Sequence, residues 1–283
     1  MAPLGVLAVV GALLTILAFD RRPTRSRRAS SQSLLAFFSW SVLWAATSSS
    51  FARRGMTNLP DHMIGHVLVM FLVPMGLIFS GYARSLWWIL GVQPRRRLLR
   101  WWYVRRSRHL PSWVLHPFTA TVLLNIVMVA SHTPRFFDFA MAHQWAMDWV
   151  MEPAFLLSGL FFFHFLLSAP PRRTRIAPGV QAAMIVVTMF EMFVLAMSMS
   201  IFTKASWYSV MVPGHGMPFM PGMATSVSAA FHQQQLAAAI LWICSDFWAV
   251  PILVVIARRL VTRDGSLFAV LERQSSRFSG VAD

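Results

Sequence analysis

The sequence predicts an all-α polytopic transmembrane helical bundle of about seven spans, N-terminus out and C-terminus in. Three observations carry this. Of 283 residues, 57% are apolar, and the mean hydropathy is +0.57. Only 12% are charged, about half the share usual in a soluble domain. Apolar runs of bilayer length recur along the chain, and basic residues crowd into alternate connections between them.

A spanning helix needs about 20 mostly apolar residues. Seven such runs occur, at residues 2–19, 33–51, 62–81, 113–131, 145–168, 179–202 and 231–257. The first has no basic stretch before it and arginines after it, which suits an uncleaved helix rather than a signal. With the N-terminus outside, residues 20–32, 82–112, 170–178 and the tail from 258 face the cytoplasm. They hold 21 of the 25 basic residues, and the other side holds Arg53, Arg54, Arg135 and Lys204. That asymmetry fixes the expected orientation. The expected organisation is a membrane domain over 1–262, an outer Met-rich loop over 203–228 and a polar cytoplasmic tail over 263–283.

A net charge of +15 raises the question of nucleic acid. The charge lies between apolar runs as arginine, so the positive-inside bias accounts for it and no nucleic-acid partner is expected. In the inner loop 82–112, Trp87, Trp88, Trp101, Trp102 and Tyr103 interleave with arginine. This reads as an interfacial amphipathic segment on anionic lipid, or as a basic loop anchored by aromatics. The single cysteine, Cys244, forbids an internal disulfide and a cysteine-cluster metal site. No phosphate loop, nucleophile elbow or His-Glu-x-x-His motif occurs, so no enzyme chemistry is expected.

Polar residues inside a bilayer are costly, and each asks for a reason. Six of the nine histidines fall at or near the outer face: His62, His66, His132, His143, His215 and His232. His62 and His66 stand one turn apart on one helix face, with Met70 a turn deeper. Two imidazoles and a thioether suit a soft ion such as Cu(I). Interfacial histidines bonded to their neighbours are the alternative. In the outer loop, His215, Met217, Met220 and Met223 lie among Gly and Pro that let the backbone wrap thioethers around a soft cation. Those methionines could equally cover the mouth of the bundle. Asp148 and Glu152 share a face of the fifth span, Glu191 sits near the middle of the sixth, and Asp246 lies in the seventh with His232 at its head. These carboxylates would tune a site or relay protons, or simply form an interhelical hydrogen-bond network. Most histidines sit near helix ends, so no haem is expected.

The segment "HMIGHVLVMFLVPMGLIFSG", residues 62–81, resembles the CtaG-type cytochrome c oxidase assembly factors of bacteria. His62, Met63, His66 and Pro74 carry that pattern. "EPAFLLSGLFFFH" is similar to another span of the family, and "QQLAAAILW", residues 234–242, to its last-span signature. The likeness covers roughly residues 33–258. The departures are Asp148 and Glu152 where the family tends to carry a histidine pair, Gln233 for an aspartate, and Ala237 and Ala238 for a glycine pair. The resemblance implies a multi-pass protein of the bacterial inner (plasma) membrane that assists assembly of a haem–copper oxidase, at the step that supplies or stabilises copper. Its partners would be cytochrome c oxidase subunits or other respiratory membrane proteins. A metal-free structural partner of an oxidase or supercomplex remains open, as does a transporter for copper or another small solute.

Overall fold

The computed structural model describes residues 2–20, 27–83, 89, 93–97, 100, 113, 115–167, 176–212 and 226–264. Among the described residues every regular element is helical. The principal helices stand at the seven expected runs. They are α1 (Pro3–Asp20), α2 (Arg27–Ser48), α4 (Leu59–Phe79), α5 (Pro117–His132), α7 (Gln144–Leu166), α8 (Pro178–Ser200) and α9 (Val227–Asp264), with short α3 (Ser50–Gly55) and α6 (Pro134–Ala142) between them. Four are long and apolar enough to cross a membrane: α4, α7, α8 and the Val227–Arg258 part of α9. Pro3–Phe19 and α5 are apolar but shorter. The inner loop 82–112 is described only in fragments. Most of the tail, and His215, Met217, Met220 and Met223, lie outside the described residues.

Local chemistry sets the boundaries. The second run ends early because the Ser49 side chain accepts from Phe51 N–H and starts α3. The third starts early because Asn58 accepts from Asp61 N–H and Pro60 occupies the first turn. Thr133 precedes a proline and is extended (ψ 134°), which ends α5 and starts α6. The seventh run is longer than expected, at 38 residues, so α9 extends beyond what a bilayer needs.

The surface is that of a protein solvated by lipid. Leu13, Ile126, Leu157, Phe190, Phe247 and Val254 all face outward. Hydroxyls within the helices bond the carbonyl one turn back: Thr15 to Gly11, Ser39 to Leu35, Thr47 to Leu43 and Thr121 to Pro117. In hydrocarbon there is no water to take their place.

At the centre, α4 packs against α2, α7 and α9. Both α4 and α7 contain a widened π-turn, Leu68–Leu72 and Met147–Met151, each directly ahead of a proline-bearing turn. Proline lacks an N–H and its ring crowds the carbonyl four residues back. The chain answers by shifting register: Val73 N–H donates to the Leu68 carbonyl, and Glu152 N–H to the Met147 carbonyl. The Met70 carbonyl, which Pro74 cannot serve, meets α7 at Gly159. A Cβ on Gly159 would collide with that oxygen and come within 2.8 Å of Pro74 Cγ. Deeper still, Trp248 of α9 stacks on Phe71 at 5.0 Å and meets Phe163 edge-on at 5.7 Å, which locks α9 to α4 and α7.

Gly159→Ala therefore overpacks a backbone contact that cannot yield, and a loss of about 1–3 kcal/mol is expected. Gly179→Ala, where no atom lies within 4 Å of the added Cβ, is the control and is neutral or slightly stabilising. Thermal melts of both variants in detergent check this.

Candidate metal centre

One end of the bundle gathers the start of α1, the α2–α3 junction, the starts of α4 and α7, and the end of α5. Three histidines meet there. His62 and His66 of α4 have ring centroids 4.1 Å apart, and His66 lies 5.9 Å from His132 of α5. All three are buried. Met63, also buried, points its thioether at the same place, with Sδ 3.4 Å from His132 Nε2. Phe137 and Phe155 close the cluster at 5.4 Å from His62 and 4.6 Å from His66.

The hydrogen bonds decide what these rings can do. His132 Nδ1 donates to the Met128 carbonyl at 2.7 Å. That places the lone pair on Nε2, facing Met63. His62 donates to the Gly55 backbone carbonyl, and its Nε2 has no partner. A ring nitrogen tied to a backbone carbonyl, with the other left free, is the usual posture of a metal-binding histidine. His66 has no hydrogen bond at either nitrogen. A buried polar group without a partner costs roughly 1–3 kcal/mol.

His62 and His66 open onto a cavity of about 300 Å³. Asp148 and Glu152 line its other wall, with Asp61, Gln144 and Arg53 nearby. Glu152 Oε2 is buried and unpartnered, while Asp148 bonds the Gln144 side chain. Asp61 pairs with Arg54 at 3.4 Å.

The expected site residues thus divide. His62, His66 and His132 come together, and Asp148 and Glu152 share the cavity with the first two. Met70 does not line it. Met70 sits in the π-turn below, buried, with its carbonyl against Gly159. His143 is exposed and bonds its own helix at the Phe139 carbonyl, because the chain is extended there between α6 and α7. Glu191 lies on another wall of the bundle, in a groove that His132 borders from its far side. His232 and Asp246 are exposed. The buried stripe of α9 runs through Gln234, Ala237, Ala238, Leu241, Ser245 and Trp248, and neither residue falls on it. The single polar interior expected from sequence is therefore two separate places and two outward side chains.

Sequence reasoning passed over Met63, which adjoins an expected ligand in the motif itself. Spacing by four selected Met70, but the facing element is α5, and its approach favours Met63. Also missed were the residues that seat the 203–212 segment over the cluster. Tyr208 is fully buried, packs on Phe137 at 4.0 Å, and donates its hydroxyl to the His132 carbonyl. Burial, and then the neighbouring Asp138 charge, push the Tyr208 hydroxyl well above its usual range, so it remains a donor. Asp138 accepts from Ser209 N–H and hydroxyl. Gln234 accepts from Trp207 N–H and donates to the Met199 carbonyl. Its neighbour Gln233 accepts from Leu59 N–H at the head of α4.

The family model described as cytochrome c oxidase caa3 assembly factor (Caa3_CtaG) matches residues 13–263. The chain belongs to this family. Neither a curated protein nor a solved structure matches it. In this member of the family, residues that depart from the family pattern have visible structural work. Gln233, in the place of an aspartate, holds the first turn of α4, and Ala237 and Ala238 let α9 pack closely. The role of the chain lies in oxidase assembly.

Would the cluster accept an ion? Two imidazoles on one tetrahedral ion, with metal–nitrogen bonds of about 2.0 Å, place their ring centroids about 5 Å apart. The observed 4.1 and 5.9 Å straddle that figure, so the rings are near neighbours at the scale of a shared ion. Among the described residues no three His, Cys, Asp or Glu side chains already stand in coordinating positions. The donor set fits a soft ion in chemistry and nearness, though it is not preformed.

Opposite stability effects follow. Removing the two unpaired nitrogens in His66→Leu should stabilise the metal-free protein by about 1 kcal/mol. Gln234→Leu strands the Trp207 N–H, leaves the Met199 carbonyl with the Thr203 hydroxyl as donor, and should cost roughly 1–3 kcal/mol. Melting temperatures in detergent with chelator check both signs, and a loss at His66 would mark it as a structural residue.

Proposed function

We propose that this assembly factor binds Cu(I) at the outer end of its bundle and passes it to an oxidase subunit within the bacterial plasma membrane. The observation that carries this is the convergence of His62, His66, His132 and Met63, with three ring nitrogens on the first two left without partners. Imidazole and thioether are soft or intermediate donors, and together they favour Cu(I) over hard cations. They also exchange readily, which a carrier needs and a closed thiolate cage does not offer. Family membership adds the client, a cytochrome c oxidase. We assign the protein no reaction of its own and no haem.

Asp148 and Glu152 act across the cavity from the rings. They share it with His62 and His66, so a cation entering there finds carboxylates as well as imidazoles. The N-terminal end of α1 contributes Ala2 to the same cavity. The positive-inside rule puts that end outside, on the side from which copper would be taken up.

A second reading, the metal-free scaffold, is favoured by one observation: among the described residues no coordinating triad of His, Cys, Asp or Glu side chains is already in place. Metal content separates the two. Purified protein loaded with Cu(I) and desalted should hold close to one copper per chain. His66→Ala and His132→Ala should retain little, and Met63→Leu should weaken binding about tenfold, the loss of roughly 1.4 kcal/mol. Met70→Leu and His143→Ala should match the unsubstituted protein. Copper near zero throughout would leave the scaffold.

A further inference from the structure

The lipid-facing side of α5 carries a groove that the copper site does not use. Its upper part, about 340 Å³, runs between α5 and α8 and is bordered by His132, Glu191, Val194 and Ser198. A lower part, about 410 Å³, adjoins it at Val129 and contains Asn125 and Ile126. The walls are apolar and outward-facing: Ile126, Val129 and Val194 are all exposed.

Two polar side chains interrupt this apolar surface. Glu191 sits near the middle of α8, and both its carboxyl oxygens are buried without a partner. Asn125 sits at the middle of α5, about 10 Å along the helix from His132, and its Oδ1 is likewise buried and unpartnered. Acyl chains offer neither a donor nor an acceptor, so lipid filling the groove would leave all three oxygens unsatisfied. Both residues line the groove, so a side-chain rotation that turns these oxygens into it would let a neighbouring helix with donors at mid-membrane satisfy them, and small Ala130 and Ser198 along the groove would let its backbone approach. The groove also ends at the back of the copper cluster: His132 borders it and through Nε2 faces Met63.

We propose that the α5–α8 groove is the client-docking surface, and that its occupant is one transmembrane helix of the oxidase subunit receiving the metal. That helix presents hydrogen-bond donors to Glu191 and Asn125 at mid-membrane. This rests on the copper-transfer reading for the identity of the client. Docking there places the receiving helix one side chain away from the imidazole that holds the cargo. Glu191 is a recognition residue and not a copper ligand.

The test is photo-crosslinking in cells that express the oxidase, with a benzophenone amino acid replacing Ile126 or Val194, and replacing Phe247 on the exposed face of α9 as control. The two groove positions lie on different helices, so failure of one variant to fold leaves the other. Expected is a crosslink to an oxidase subunit from the groove positions and none from Phe247. Glu191→Leu should reduce it at least tenfold, Glu191→Gln should keep it, and both should retain copper. Crosslinks only to lipid or to a second copy of this chain would overturn the proposal, as would a crosslink unaffected by Glu191→Leu. Loss of the crosslink with copper retained counts against the groove alone in the unsubstituted protein. A crosslink present in a protein that binds no copper counts against the copper reading alone.

Discussion

Inside a bilayer a polar group has no water to fall back on, and most of this structure can be read as an answer to that constraint. Serine and threonine hydroxyls bond carbonyls a turn away on their own helices. Two prolines are absorbed by π-turns that re-pair the backbone. Gln234 occupies a fully buried position because it satisfies a loop N–H and a helix-end carbonyl together. Among the described residues, buried atoms without a partner include Trp40 Nε1, Ser48 Oγ, Thr188 Oγ1 and Trp248 Nε1, and the titratable ones gather in two places: the His62–His66 cluster with Glu152, and the groove holding Glu191, with Asn125 beside it. Titratable groups cost the most to leave unpaired inside a bilayer, and these are the ones gathered at the two candidate sites.

The same constraint links the fold to the site. Pro74 forces the π-turn in α4, and the Met70 carbonyl, which Pro74 cannot serve, is met by Gly159 of α7. That contact fixes α7 against α4 one to two turns below the histidines. It thereby sets Glu152 and Asp148 across the cavity from His62 and His66. Above them, Tyr208 and Phe137 seal the cluster, with Asp138 and Gln234 holding the 203–212 segment in place. The imidazoles are consequently reached from the cavity side.

The helical membrane fold was legible because hydropathy and run length act at the scale of a whole helix. Helix ends shifted by a few residues wherever a single cap decided them, as at Ser49 and Asn58. The pairing of His62 with His66 was legible because both belong to one helix. His132 was named among several outer-face candidates, and spacing alone could not select it over His143 or His232, because convergence across helices depends on packing. Which methionine faces the cluster depends on the approach of α5, so an i, i+4 rule chose Met70 and passed over Met63. The assembly of one polar interior from three helices failed on α9 for a similar reason. Its small, apolar and amide side chains bury so well that His232 and Asp246 are left outside.

X-ray absorption at the copper edge, on Cu(I)-loaded protein in detergent, tests the central claim most directly. The account predicts nitrogen scatterers at about 2.0 Å with imidazole outer-shell features, and one sulfur near 2.3 Å that disappears in Met63→Leu. A spectrum with no imidazole contribution, or with sulfur that survives Met63→Leu, would contradict it.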